Sequence, residues 1–147
     1  MKVEVIKCGI SELNYIRQAL EEVKGEEDCC RYDENNIRKF LGNNDNWFYI
    51  ALSEGRVCGY AIAYVQRRID TDSNMICLYE IGTLRSYRKM GIGKFIINRI
   101  IEDGKAEGAY KIWIPTNTSN KAACALYRSI GAREPDKIDD IIYNYKY

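Results

Sequence analysis

The chain has 147 residues, 46% hydrophobic and 29% charged, which is enough apolar material for one packed domain and too much for disorder. Lys and Arg number 22 against 21 Asp and Glu, and a net charge of +1 speaks against a general nucleic-acid coat protein. No apolar run nears the roughly 20 residues of a bilayer span. The start, Met1-Lys2-Val3-Glu4-Val5-Ile6-Lys7, alternates charged and apolar residues unlike a signal peptide, so a soluble cytoplasmic domain is expected.

The residue inventory narrows the chemistry. With no histidine, the Ser-His-Asp and Cys-His mechanisms and the His-containing zinc sites are all excluded, and no metal site is expected. Cys8, Cys29, Cys30, Cys58, Cys77 and Cys124 form no C-x-x-C pair, so the expectation is reduced thiols used for packing.

In chain order, a strand is expected over residues 2–7, then a helix capped by Ser11, carrying Leu13, Ile16, Leu20 and Val23 at helical spacing and ended by Gly25. An acidic loop, Glu26-Glu27-Asp28, precedes a short helix over 33–41 with Asp33 as its cap. Strands over 47–53 and 57–68 are joined by the turn Glu54-Gly55-Arg56, and another strand runs over 76–83. Ile92, Phe95, Ile96, Ile100 and Ile101 then share one face of a helix ended by Gly108. A short strand over 111–114 stops at Pro115, and Asn117 or Ser119 caps a last helix with Ala123, Leu126, Tyr127 and Ile130 on one side. Residues 138–147 read as a closing strand with Tyr143, Tyr145 and Tyr147 on one face, which is also a candidate dimer edge. The order predicts a single α/β or α+β domain, residues 1–147, with a mixed sheet.

The segment Glu80-Ile81-Gly82-Thr83-Leu84-Arg85-Ser86-Tyr87-Arg88-Lys89-Met90-Gly91-Ile92-Gly93 carries the most chemistry. A strand enters a basic loop that opens a helix through two glycines, and free N–H groups at a helix N-terminus bind anions. Gly91 and Gly93 would let an anion approach the backbone, the alternative being a plain turn into a helix. From Arg85 to Ile101 there are five cations (Arg85, Arg88, Lys89, Lys94, Arg99) and no acid, which suggests one anionic ligand. Neither a P-loop nor a G-x-G-x-x-G spacing is present.

Arg88-Lys89-Met90-Gly91-Ile92-Gly93 resembles the (Q/R)-x-x-G-x-(G/A) pyrophosphate loop of the GCN5-related N-acetyltransferases. About 27 residues on, Asn120-Lys121-Ala122-Ala123-Cys124-Ala125-Leu126-Tyr127-Arg128-Ser129-Ile130-Gly131 resembles that family's N-x-x-A-x-x-L-Y-x-x-x-G signature. Ala132 departs from the family's usual Phe. Gly108-Ala109-Tyr110, Ala125-Leu126-Tyr127 and Gly131-Ala132-Arg133-Glu134 are most similar to the aminoglycoside 3-N-acetyltransferases.

The resemblance implies a mixed, mostly antiparallel sheet flanked by helices and splayed between its fourth and fifth strands, with Gly82 a reasonable place for the bulge that opens it. It implies acetyl-CoA as cosubstrate. Residues 90–94 would take the pyrophosphate, with Arg88, Lys89, Met90, Gly91, Ile92, Gly93 and Lys94 forming the loop. Ile81, Gly82 and Thr83 would pair with the pantetheine arm, Asn120 and Ala123 would complete the cofactor side, and the Ile81 N–H would meet the thioester oxygen. Tyr127 would hydrogen-bond the leaving thiolate, or else be a core aromatic. Glu80 would take the proton of an amine substrate, or else face solvent and leave that task to water or a tyrosine.

The acidic runs Glu26-Glu27-Asp28, Asp33-Glu34 and 136–140 would rim a cleft for a small cationic amine such as an aminoglycoside, or are simply solvated. Tyr32, Tyr49, Tyr60, Tyr64 and Tyr79 are candidate lining residues. Acetyl transfer to a protein Lys or N-terminal amine, and a non-catalytic acyl-CoA-binding module, stand as alternatives.

Overall fold

In a computed structural model, described here for residues 1–27, 31–135 and 141–147, five strands form one sheet in the order β1-β2-β3-β4-β5. The strands are β1 (Val3–Lys7), β2 (Asn46–Ser53), β3 (Arg56–Arg67), β4 (Asn74–Thr83) and β5 (Ala109–Trp113). The first four pair antiparallel, β1 reaching β2 through the segment that carries α1 and α2 and the next two pairs through short connections, and β5 joins parallel to β4 after a crossover helix, as a parallel neighbour requires.

The helices are α1 (Leu13–Gln18), α2 (Glu34–Leu41), α3 (Ile92–Ala106) and α4 (Lys121–Ser129). Period-two alternation along β2 and β3 splits the core in two. Phe48, Ile50, Leu52 and Tyr60 face Ile16, Ala19 and Ile37 on the α1–α2 side, while Trp47, Tyr49, Ala61 and Ala63 face Ile92, Ile96, Ile97 and Ile100 of α3. Each fully covered isoleucine among them contributes about 1.5–3 kcal/mol of transfer free energy.

Several local expectations hold. Asp33 Oδ1 accepts from the Asn35 N–H at 2.7 Å and starts α2, and the turn at Glu54 and Gly55 takes positive φ at both residues, matching the twist of the hairpin. Cys58 and Cys77 are buried free thiols, and Cys8 and Cys124 are half-buried and free; Cys29 and Cys30 lie outside the described residues.

Other expectations are corrected. Ser11 is not the first cap: the Glu12 carboxylate reaches back to the Gly9 N–H at 2.7 Å, so the chain starts in a tighter turn, Ile10–Glu12, before α1. The helical path does not stop at Gly25, because a π-helical stretch, Ala19–Val23, runs into a 3-10 turn, Lys24–Glu26. Asn120, rather than Asn117 or Ser119, caps α4 by accepting from the Ala123 N–H at 3.1 Å, with Asn117 Oδ1 supporting the Asn120 N–H at the same distance. No strand forms over 141–147. Tyr143, Tyr145 and Tyr147 are exposed without a hydrogen-bonded neighbour, so the dimer edge read from that strand loses its basis; residues 138–140 lie outside the described ones. No helix among the described residues is long and apolar enough to cross a membrane.

Candidate active site

The sheet opens where expected. The β4–β5 ladder runs only from Asn74 to Cys77 on β4, so the rest of β4, through Thr83, has no partner on that side. The bulge that accompanies this opening is not at Gly82. Ile62 pairs with Glu80 and the next β3 residue, Ala63, with Leu78, so Tyr79 is the extra residue.

Past the bulge the Leu84 N–H donates to Cys58 O at 2.9 Å. Alternation from that bond turns the backbone groups of Glu80 and Gly82 toward β3 and those of Ile81 and Thr83 toward the side that β5 has left. The Thr83 carbonyl accepts from Arg88 Nε at 3.3 Å. An extended ligand arm would find its hydrogen bonds at Ile81 and Thr83.

Gly82 is glycine for a reason of space. A Cβ there would stand 2.6 Å from Tyr60 Cε1, and the Tyr60 ring is fixed by stacking on Phe48 at 5.9 Å between centroids. With its ring laid across Gly82, Tyr60 donates its hydroxyl to Glu80 Oε1. Lys24 Nζ donates to the same oxygen at 2.5 Å. Glu80 is therefore neither in the core nor loose in solvent; it stands beside the open edge with two donors on one oxygen.

After β4 a 3-10 turn, Arg85–Tyr87, leads through Arg88, Lys89 and Met90 to α3. Lys89 and Gly91 have φ of 62° and 83°, a conformation that glycine adopts without strain. Gly91 gives α3 no side-chain cap, and the first amide closed within the helix is that of Phe95, donating to Gly91 O at 3.1 Å. The amides of Ile92, Gly93 and Lys94 thus form an uncapped helix start suited to an anion. Ile92 itself is buried, so only its backbone is on offer.

The cations of this loop are less free than their count suggests. Arg88 pairs with Glu27; the Arg85 N–H donates to Glu26 Oε2 at 2.7 Å and its guanidinium to Glu26 O at 2.9 Å. Arg99 turns to Asp103 at 3.1 Å and to Val5 O at 3.1 Å, away from the helix start. Lys94 Nζ reaches Ser129 O at 3.4 Å. Glu26 and Glu27, expected on an acceptor rim, instead hold the basic loop. Asp28 and residues 136–140 lie outside the described residues.

Gly93 has a packing reason to be glycine besides the one read from the sequence. A Cβ there would come 2.8 Å from Leu126 Cδ2 and 3.8 Å from Ile81 Cδ1, so the missing side chain lets α4 close on α3 beside β4. Tyr127, next to Leu126, is half-buried against the α3-side core, and burial, with the Cys124 charge second, pushes its phenol above the ordinary value of 10.0. It is a neutral donor at physiological pH. Asn120 and Ala123 stand at the start of α4, where their mutual hydrogen bond already uses Asn120 Oδ1.

Of the five candidate lining tyrosines, Tyr49 is excluded: it is fully buried on the α3 face and donates to Asp103 at 2.8 Å. On the α1–α2 face an apolar cavity of about 230 Å³ is bordered by Tyr32, Phe40, Phe48 and Ile62, and Ile62 stands opposite Glu80 in the ladder. Tyr64 makes edge contacts with Tyr79 at 5.7 Å and with Phe40, a cavity residue, at 5.9 Å. Among the described residues no cluster of Cys, Asp or Glu could hold a metal ion. Lys24 was missed by sequence reasoning, because no pattern links it to Glu80 across 56 positions. The Tyr60–Gly82 contact was open to discovery from the hairpin register.

Comparison with known proteins gives the fold and the family. The [ribosomal protein bS18]-alanine N-acetyltransferase of Salmonella typhimurium is 26% identical over 99 residues, 66% of this chain and 63% of that protein, so the match spans under two thirds of the relative. Among solved structures, an aminoglycoside acetyltransferase from an uncultured soil metagenomic sample, in complex with sisomicin, superposes with a TM-score of 0.86 at 18% identity, covering 98% of this chain and 97% of that one. AAC(6')-Iy in complex with the bisubstrate analogue CoA-S-monomethyl-acetylneamine gives 0.80 at 18% identity, covering all of both chains. These two likenesses show the fold. Residues 13–132 match the acetyltransferase (GNAT) family, and that match, spanning the open β4 edge, the uncapped α3 start and the helix of Tyr127, shows that the chain belongs to it.

Proposed function

We propose that the chain transfers an acetyl group from acetyl-CoA to a primary amine of a small cationic molecule, with aminoglycosides the first acceptors to test. The observation that carries this reading is the unpaired end of β4, which sets Glu80 beside outward backbone groups of Ile81 and Thr83 and ahead of the uncapped start of α3. Bound acetyl-CoA supplies the activated acyl group and the sulfur that leaves.

The fit to acetyl-CoA is chemical. The amides of residues 92–94, with Arg88, Lys89 and Lys94 nearby, suit a pyrophosphate, and the free β4 edge suits an amide-bearing arm. The Ile81 N–H would stabilise charge developing on the acyl oxygen. Glu80 takes a proton from the ammonium of the acceptor, whose ordinary pKa near 10 keeps it protonated at pH 7. Tyr127 keeps its proton and donates a hydrogen bond to the leaving sulfur; complete transfer from a phenol above 10 to a thiolate of about 8.5 is uphill.

Mass spectrometry of acetyl-CoA incubated with the protein and aminoglycosides, spermidine, amino acids or peptides tests the proposal. One added acetyl group on an aminoglycoside supports it, and absence of product from every amine sinks it. A protein N-terminal amine is the second reading, favoured by the relative that is named for acetylating the alanine of a ribosomal protein. Product on an alanine-terminated peptide alone would select that second reading.

A further inference from the structure

Resting on the reading of Glu80 as the base, we propose that Lys24 and Tyr60 are positioning residues of the reaction, pinning Glu80 by Oε1 so that Oε2 is presented to the acceptor amine. Both hydrogen bonds fall on Oε1. A carboxylate accepts at both oxygens, so two donors on one oxygen settle the rotation of the group and direct the other oxygen to a third donor.

The two donors are themselves confined. Tyr60 is 3% exposed, sandwiched between Phe48 and the bare backbone of Gly82, so its hydroxyl has one place to be. Lys24 begins the turn Lys24–Glu26, which is tied to the basic loop by Glu26 accepting from the Arg85 N–H.

Stability alone does not account for this trio. Lys24 and Glu80 each keep about a quarter of their side-chain surface in water, and ion pairs with that much solvent contribute about 0–1 kcal/mol. Gly82 also carries a backbone cost, since glycine inside a strand packs no side chain of its own. What the trio does achieve is a carboxylate held in one orientation at the point where the sheet parts.

Among the described residues, charged and titratable groups reach Glu80 from two elements. Lys24 comes from the turn after the π-helical stretch, Tyr60 from β3, and Tyr64, whose phenol is raised mainly by burial and in part by the Tyr79 and Glu80 charges, lies further along β3. Removing the Lys24 ammonium or the Tyr60 hydroxyl leaves Oε1 with one donor and lets the carboxylate rotate. Turnover would then fall while acetyl-CoA binding stays unchanged.

The test compares wild type with Lys24→Met, Lys24→Arg, Tyr60→Phe and Glu80→Gln, using acetyl-CoA with sisomicin and with an alanine-terminated peptide, product read by mass spectrometry. Glu80→Gln should lose about 10²–10³-fold in kcat, within the range of general-base catalysis. Lys24→Met and Tyr60→Phe should each lose about tenfold in kcat and keep the KM for acetyl-CoA within about twofold. Lys24→Arg retains the charge and should restore much of the loss, which a folding defect would not predict; melting curves accompany each variant. If Glu80→Gln is inactive while Lys24→Met and Tyr60→Phe keep wild-type kcat, positioning is overturned and the base reading survives. If Glu80→Gln is fully active, or wild type yields no product with either acceptor, the base reading falls and this inference falls with it.

Discussion

Gly93 and Leu126 meet where α3 and α4 close on each other, with the Leu126 Cδ2 methyl 2.8 Å from the position a Gly93 Cβ would take. The contact fixes α4, and with it Tyr127, against the start of α3. Gly93→Ala requires only that a leucine methyl rotate, and its cost should stay under about 1.5 kcal/mol; Gly93→Val overpacks the same point and should cost about 1–3 kcal/mol in urea unfolding. The valine variant should also lower kcat more than it weakens acetyl-CoA binding, because it displaces Tyr127.

Tyr127→Phe removes a hydroxyl without emptying the site. Turnover should fall by about 10–100-fold, while stabilisation of the protein by acetyl-CoA in thermal melts stays unchanged. Because the phenol is raised above 10, it stays protonated through neutral pH, so no alkaline limb below about 10 should be assigned to it. Unchanged turnover in this variant would remove Tyr127 from the mechanism and favour a non-catalytic acyl-CoA binder.

Glu27 pairs with Arg88, a cation that the proposed cosubstrate's pyrophosphate would also attract. Its carboxyl is held below the ordinary range by the hydrogen bond and charge of Arg88, so the pair is intact at neutral pH and is lost as pH falls through the lowered value. Glu27→Gln should tighten acetyl-CoA binding by about two- to fivefold, in keeping with an exposed pair. Titration calorimetry reads the change directly, and weaker binding would show that Glu27 instead orders the loop for the ligand.

Alkaline stability follows from buried acids. Burial, with the Glu12 charge second, pushes the Cys8 thiol from 9.0 to about 12, and Tyr49 is raised by burial and then by its hydrogen bond to Asp103. A group raised on folding contributes stability that is present below its unfolded value and lost as pH climbs toward the folded one. The urea midpoint should therefore hold up to about pH 9 and decline steadily above it as unfolded thiols and phenols ionise. Tyr49→Phe should be less stable at neutral pH and show a shallower alkaline decline.

The parts of the site made by neighbouring residues were legible in the sequence. The β4-to-α3 loop, the helix of Tyr127 and the Asp33 cap each depend on contacts within a few positions, and each formed in place. The bulge was displaced from Gly82 to Tyr79 because register is a property of two strands, and no single strand displays it. The packing constraint on Gly93 was not legible because Leu126 lies 33 positions away on another helix. The same distance problem concealed Lys24 beside Glu80, and it made Glu26 and Glu27 look like a free acidic rim when their partners, Arg85 and Arg88, are about 60 positions on. The tyrosine alternation of the tail suggested a strand, but alternation supplies only a face, and a ladder needs a neighbour.

One turn touches both halves of the site: Lys24 reaches Glu80 on β4, Glu26 reaches Arg85, and Glu27 reaches Arg88. Under the proposed function, acceptor range and donor affinity are therefore heritable together. A substitution selected at this turn for a new amine will carry an altered response to acetyl-CoA with it, and a library randomised over positions 24–27 should return variants changed in both traits more often than in either alone.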